Sequence, residues 1–481
     1  MTFNSFGYLF LFLPLAWAGY FLLGRISRSS AWPKLWLIAS SLVFYASARV
    51  DHLLLLLGSA AFNYWMAHLL VARPPGNGQE PRGAAKNILI FGITANIGFL
   101  ALFKYAGFFV LNLNSVAGTH IPLPHVAFPL GISFFTIQQI TFLVDCYEGL
   151  VENHNALDHM TFISMFPYVT MGPIVRWKDV VPQLNALGAA RVNADNCAVG
   201  LYVFAIGLFK KAVLADTFFR WADAGFAYSS PLSFAGGWIS AIAFTLQLYF
   251  DFSGYTDMAL GSAKMLNIQL PQNFDAPFRT QSIGEFWRAW HITLTNFITT
   301  YLYTPIVRSF KKLTFPKAMF ATFISMVIAG FWHGASWNFL IFGALHGAAL
   351  VTHQWWKKRK TPLPAPLAWA VTFAFVFSAM VFFRAPDVPQ ALRMLTSMYT
   401  PGFTQFFSYE PWSGIDRVEQ LTGLLWMAVG AAVLARGKSS LQLQKSFQPS
   451  MPRVAFASVL LLIGLIYANG VVSRSFVYRD F

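Results

Sequence analysis

Residues 331–347 read FWHGASWNFLIFGALHG, and no Asp, Glu, Lys or Arg stands between Lys317 and Lys357. Two imidazoles, His333 and His346, therefore sit in an apolar run. Burial without a charged partner keeps an imidazole neutral, the state in which it can take a proton from a hydroxyl attacking an acyl carbonyl. His333 stands between Trp332 and Gly334, with Gly330 just before it, where backbone can be approached closely. It is a candidate general base, with a packed core histidine as the plain alternative. His346 reads as packing or lining, and seven residues later His353 shares its helix face.

Two further stretches place polar groups in apolar surroundings. QLYFDFSGYTDMALG at 247–261 carries Asp251 and Asp257. They are candidates for substrate contact or a relay, or are structural, accepting backbone amides at helix breaks beside Ser253 and Gly254. NFDAPFRTQSIGEFWRAWHITLT at 273–295 carries Glu285, Arg288, Trp290 and His291. Glu285 and Arg288, three apart, have the spacing of a helix-surface pair. Attack on an acyl carbonyl passes through an oxyanion that needs donors in place, for which Trp290 and Asn338 are candidates.

Composition defines the elements that must hold these groups. Of 481 residues 56% are hydrophobic and only 11% charged, against roughly a quarter charged in soluble chains. Apolar runs recur along the whole length, the pattern of a polytopic all-α membrane protein. The first, FGYLFLFLPLAWAGYFLLG, lacks a preceding basic residue and a small-residue cleavage site, and reads as a retained helix. The net charge of +15 is clustered in short loops, which marks membrane orientation and not nucleic-acid binding. Cys146 and Cys197 form neither a CxxC nor a Cys/His spacing, so neither a disulfide framework nor a metal site is expected.

Spans are expected at about 6–24, 31–46, 51–72 and 87–104. Arg25, Arg28 and Lys34 follow the first, and Arg73, Arg82 and Lys86 follow the third, whereas Arg49 and Asp51 cancel after the second. This alternation puts the N-terminus outside the cytoplasm. Lys311, Lys312 and Lys317 precede the His333 span and KKRK at 357–360 follows the next, predicting a helical hairpin returning to the cytoplasm. The stretch 384–420 is balanced and reads as extracytoplasmic; Arg436, Lys438, Lys445 and Arg453 mark a cytoplasmic loop, so the C-terminus ends outside. About 10–12 crossings are expected. Segments 153–182 and 252–305 are too polar for simple spans and predict short or re-entrant helices around a central cavity. No internal repeat or soluble domain is visible, so residues 1–481 read as one domain.

Two other functions fit buried histidines in membrane helices. One is haem ligation, but thirteen residues place His333 and His346 on roughly opposite faces of an unbroken helix, and the hairpin assigns them to different arms. The other is an ion- or proton-coupled transporter using Asp251, Asp257 and His291, although the paired repeats of many transporters are not visible.

The ordered blocks MGPIVRWKD (171–179), QLYFDFSGYTDMALG, NFDAPF, EFWRAWHITLT, FWHGASW, VFFRAPDVPQALRML (381–395) and the ending FVYRDF span nearly the whole chain. In them the sequence resembles the membrane-bound O-acyltransferases, specifically the bacterial alginate O-acetylation branch. The resemblance places core motifs at about 125–357 and further helices at 362–481. It implies two functional histidines, His291 and His333, the latter as the main catalytic residue. It further implies tilted helices around a thinned centre, where a cytoplasmic donor tunnel meets an outward acceptor funnel. The expected substrate is acetyl-CoA or another acyl thioester, carried by CoA or a carrier, with no tightly bound cofactor. The expected acceptor is an extracytoplasmic polysaccharide, reached directly or through a periplasmic acetyltransferase partner, from a bacterial inner membrane. The chain departs from the branch after His291, where Thr293, Thr295, Phe297, Thr299 and Thr300 replace a serine-rich pattern. It also has YLYTPIVRSF where a Gly-Gly-Asn-Arg loop is usual, which bears on donor fit, acceptor and partner docking.

Overall fold

The computed structural model describes residues 1–27, 29–72, 82–124, 128–151, 153–186, 190–228, 230–400, 416–469 and 476. The loop 73–81, residues 401–415 of the balanced stretch, and FVYRDF beyond Phe476 lie outside them. All regular structure among the described residues is helical. The first expected spans appear as Gly7–Phe12 continuing into Leu13–Ile26, then Ala31–Ala46, Asp51–Val71 and Arg82–Lys104. Among the described residues, seven helices are long and apolar enough to cross a membrane. Other helices, such as Ala106–Ala117 and Gln420–Arg436, are apolar but shorter or less uniform.

The chain divides into two compact units, Met1–Phe204 with Met258–Pro271, and Ala205–Asp257 with Gln272–Phe481. The first is centred on the helix Ile132–Tyr147, which buries Ser133, Thr136, Gln138, Gln139, Thr141 and Asp145 along with its apolar residues. Its buried polar groups are satisfied only in part: His159 Nε2 meets Gln139 Oε1 at 3.2 Å, whereas Thr136 Oγ1, both Gln138 amide atoms and Gln139 Nε2 have no hydrogen-bond partner among the described residues. Lys34, expected in a loop, is instead buried in the first turn of Ala31–Ala46. Its ammonium bonds Asp158 Oδ1 at 2.5 Å and also Asn185 Oδ1. The block MGPIVRWKD supplies buried non-helical backbone up to Arg176 and then opens the helix Trp177–Asn185, the irregular structure expected for 153–182.

The second unit holds the hairpin read from the sequence. Phe315–His333 and Trp337–Lys358 are joined by three residues. Gly330 and Gly343 let the arms touch backbone to backbone: a Cβ at Gly343 would lie 2.5 Å from Met326 O, and one at Gly330 would lie 2.6 Å from Gly343 Cα. The close approach expected at Gly330 thus serves packing of the hairpin.

Around Asp251 and Asp257 the structure differs from expectation. Phe234–Met265 is one continuous helix with no break at Ser253 or Gly254. Each carboxylate meets a buried lysine. Asp251 lies 2.9 Å from Lys211 Nζ, which also meets Asp216 Oδ1 at 2.9 Å, and Asp257 lies 2.7 Å from Lys210 Nζ. Pairing removes the reason to break the helix, because a buried charge is tolerated where an opposite charge meets it. Both lysines stand in the π-helical turn Lys210–Ala215, whose widened register presents consecutive ammonium groups to one neighbouring helix.

Candidate active site

The site is built in the second unit from a short-helix segment and the hairpin. Ser282 Oγ accepts from Glu285 N at 3.3 Å and starts the helix Ile283–Ala289. Glu285 reaches back to Gln281 N at 2.9 Å. Its carboxylate therefore caps the helix rather than making the expected bond to Arg288, as an acidic group in the first turn does. Trp290 follows, buried against Phe274, Phe278, Phe286 and Tyr249. His291 then takes left-handed backbone geometry, φ 44° and ψ 53°, and starts the helix Ile292–Phe297.

His291 is fully buried, and neither ring nitrogen has a hydrogen-bond partner among the described residues. It lies outside the membrane-spanning helices, and loss of hydration pushes its imidazole down to about 3, so it is neutral near pH 7. The ring meets Phe252 edge-on at 4.6 Å, and Phe252 in turn meets Phe476, the first residue of the C-terminal block.

His333 closes the first arm of the hairpin and is buried. Its ring lies 6.5 Å from that of His291, centroid to centroid, and is framed by Trp332, Phe342 and Phe383. The two histidines separated by 42 positions are thus brought together. His346 is further along the second arm. Trp287 Nε1 donates to its Nδ1 at 3.2 Å, and its ring touches Phe342 at 4.5 Å and Phe375 at 5.2 Å. Asn338 donates one N–H to Ala385 O at 2.7 Å, tying the hairpin to the end of the helix Ala365–Arg384. Asp251 adjoins Phe252 in sequence, but consecutive helical residues diverge by about 100°. Its carboxylate meets Lys211, while the Phe252 ring meets His291.

Sequence reasoning passed over Asn273, Phe252, Phe383 and the two lysines. The first three fall inside blocks that had been singled out for other residues. Lys210 and Lys211 carried a signal of their own, two adjacent charges in the otherwise apolar stretch 199–215.

A polytopic fold, helical throughout its described residues, with two buried imidazoles 6.5 Å apart and tilted by 57° defines a membrane enzyme site suited to moving a proton in a dry environment. Residues 85–385 match the family model of MBOAT, the membrane-bound O-acyltransferase family. The chain is 40% identical over 428 residues to the peptidoglycan O-acetyltransferase of Helicobacter pylori, covering 83% of this chain and 80% of that protein. It is 38% identical over 441 residues to the probable alginate O-acetylase AlgI of Pseudomonas aeruginosa, covering 90% and 80%. It is 27% identical over 285 residues to the teichoic acid D-alanyltransferase of Bacillus subtilis, covering 56% and 71%. The chain belongs to the membrane-bound O-acyltransferase family, and it is an O-acyltransferase. The transporter and haem-protein readings are set aside.

Proposed function

We propose that this enzyme takes an acetyl group from acetyl-CoA, or an acyl group from a related carrier thioester, on the cytoplasmic side of a bacterial inner membrane. It delivers that group toward a hydroxyl of a wall or secreted polysaccharide outside, directly or through a periplasmic acetyltransferase partner. The loop charges support this orientation, with both termini outside. The relatives that act on peptidoglycan and alginate support the acceptor class. The observation that carries the reading is the pair His291 and His333, ring centroids 6.5 Å apart on separate elements.

In this reading the acceptor hydroxyl oxygen attacks the thioester carbonyl carbon while the His333 imidazole takes its proton. The tetrahedral intermediate collapses, the C–S bond breaks, and the departing thiolate takes the proton back to leave as a thiol. One ester forms for each thioester consumed. His291, neutral and without a protein partner among the described residues, offers a ring N–H to the thioester carbonyl or orients the acceptor. Trp290, Asn338 and His346 shape the surroundings of the two histidines, and Asp251 acts by holding Lys211.

The test compares ester-linked acyl groups on wall and secreted polymers from wild type, a deletion strain and a strain carrying His333→Ala. Loss of the same ester from the same polymer in both mutants is expected. An unchanged pattern on every polymer, in a strain without a second acyltransferase of this family, overturns the proposal.

A further inference from the structure

His291 has a strained backbone, with φ 44°. Left-handed geometry is disfavoured for any residue bearing a Cβ, and such residues persist only where their surroundings over-determine them. Nothing holds the side chain by hydrogen bonds, because both ring nitrogens lack a partner among the described residues. The direction of the ring is therefore set by its main chain and by packing against Phe252.

That main chain is clamped from one residue. Asn273, fully buried, accepts from Ile292 N at 2.9 Å with its main-chain carbonyl. With Oδ1 it accepts from Thr293 Oγ1 at 2.6 Å and from Thr293 N at 3.3 Å. Its Nδ2 donates to Thr256 Oγ1 at 3.4 Å, on the same long helix as Phe252. Two residues on, Asp275 N donates to Ala289 O at 3.0 Å, so the segment is bonded on both sides of His291. Ala276, next in the same loop, is also left-handed, with φ 49°. Two strained residues thus sit in two strands of loop held together by these bonds.

We propose that Asn273 is a positioning residue for acyl transfer: through Ile292 and Thr293 it fixes the left-handed turn that aims the His291 ring at His333. The role of His291 in the reaction rests on the function proposed above; the clamp itself does not. Without the Oδ1 acceptor the turn relaxes toward ordinary helical or extended geometry, and the ring swings away from its place beside His333. Substrate affinity set elsewhere in the protein is left alone, so the loss falls on kcat.

The full chain, purified and reconstituted in lipid nanodiscs, provides two independent readouts. The first is acetyl-CoA turnover with a soluble polysaccharide acceptor. Thr293→Val removes one hydroxyl donor and Asn273→Ala removes the side-chain bonds of the clamp, and each lowers kcat by about 10- to 100-fold at unchanged KM for acetyl-CoA. Thr293→Ser keeps the hydroxyl and keeps kcat near wild type. The second readout needs no activity. In a background carrying Cys146→Ala and Cys197→Ala, the double variant His291→Cys/His333→Cys is bridged by a short bromobimane crosslinker. Adding Thr293→Val sharply lowers the yield and adding Thr293→Ser does not. Should Asn273→Ala fail to fold, Thr293→Val carries both readouts. Equal crosslinking with Thr293→Val and Thr293→Ser, or a kcat unmoved by Thr293→Val, overturns the clamp. An inactive wild type with the expected crosslinking pattern overturns the function reading and leaves the clamp standing.

Discussion

Trp287 Nε1 donates to His346 Nδ1 at 3.2 Å in a buried aromatic pocket. An indole can only donate, so His346 must accept at Nδ1 and carry its proton on Nε2. The sequence showed two histidines on one hairpin; the structure gives the second a tautomer. Trp287→Phe leaves Nδ1 without a donor and is expected to cost about 1–3 kcal/mol. Adding His346→Phe removes the orphaned acceptor, so the double variant should be no less stable than Trp287→Phe alone. Thermal unfolding of the four proteins of this cycle in detergent measures the coupling, and simple additivity would count against the bond.

The two histidines facing each other at 6.5 Å are expected to differ from His346 in what their removal does. His333→Ala should lower acyl transfer by about 10²- to 10⁴-fold, the usual share of a general base, with little change in melting temperature. His291→Ala should also lower turnover. His346→Gln should act mainly on stability. Parallel measurement of turnover and melting separates these outcomes; a His333→Ala protein with wild-type turnover removes the base assigned above.

Much of this arrangement was legible in the sequence for a physical reason. The hairpin announced itself through basic clusters at both ends and an uncharged run between them. The pairing of His291 with His333, in contrast, came only through resemblance, since no periodicity links positions on separate elements. The charge pairs were illegible in another way. Lys34 read as a loop cation, and Asp251 and Asp257 as a relay, as substrate contacts or as acceptors of backbone amides at helix breaks, because a lone charge in an apolar run gives no sign of its partner. Lys34 meets Asp158 across 124 positions, and Asp257 meets Lys210 across 47. The strain at His291 was equally hidden, as nothing in WHIT marks a left-handed residue.

The Lys210–Asp257 pair carries a second bond each to Ser440, at 2.7 Å from Nζ and 2.7 Å from Oδ2. Removing one member of a buried pair strands the other and costs about 3–5 kcal/mol, whereas replacing both with apolar residues is often neutral. Lys210→Met alone should thus yield little folded protein, and Lys210→Met/Asp257→Leu should recover most of it. Size-exclusion yield reports the outcome. Failure of the double variant to improve on the single one would argue that the charges themselves, not their balance, are needed.

At Gly343 a methyl group has nowhere to go, since its carbon would lie 2.5 Å from Met326 O and 3.0 Å from Gly330 Cα. Gly343→Ala should part the arms of the hairpin, cost about 1–3 kcal/mol, and lower turnover by displacing His333. Gly58→Ala is the matched control, because nothing lies within 4 Å of where its methyl group would sit. Equal melting and turnover of the two variants would mean that the arms do not pack through these glycines.

Acid should destabilise the protein through its buried imidazoles. Burial pushes His291 down to about 3, and burial together with the neighbouring His154 does the same to His159. In the unfolded chain both titrate near the ordinary value of about 6.5. Between these values the unfolded chain binds protons that the native protein does not, so stability rises with pH across that window and levels off above it. The melting temperature in detergent should fall steadily from pH 7 to pH 5. His159→Gln retains a hydrogen-bonding partner for Gln139 but cannot titrate, so its melting temperature should fall less over the same interval. A variant whose pH slope equals that of wild type would show that His159 titrates alike in the native and the unfolded protein, contrary to the burial argued here.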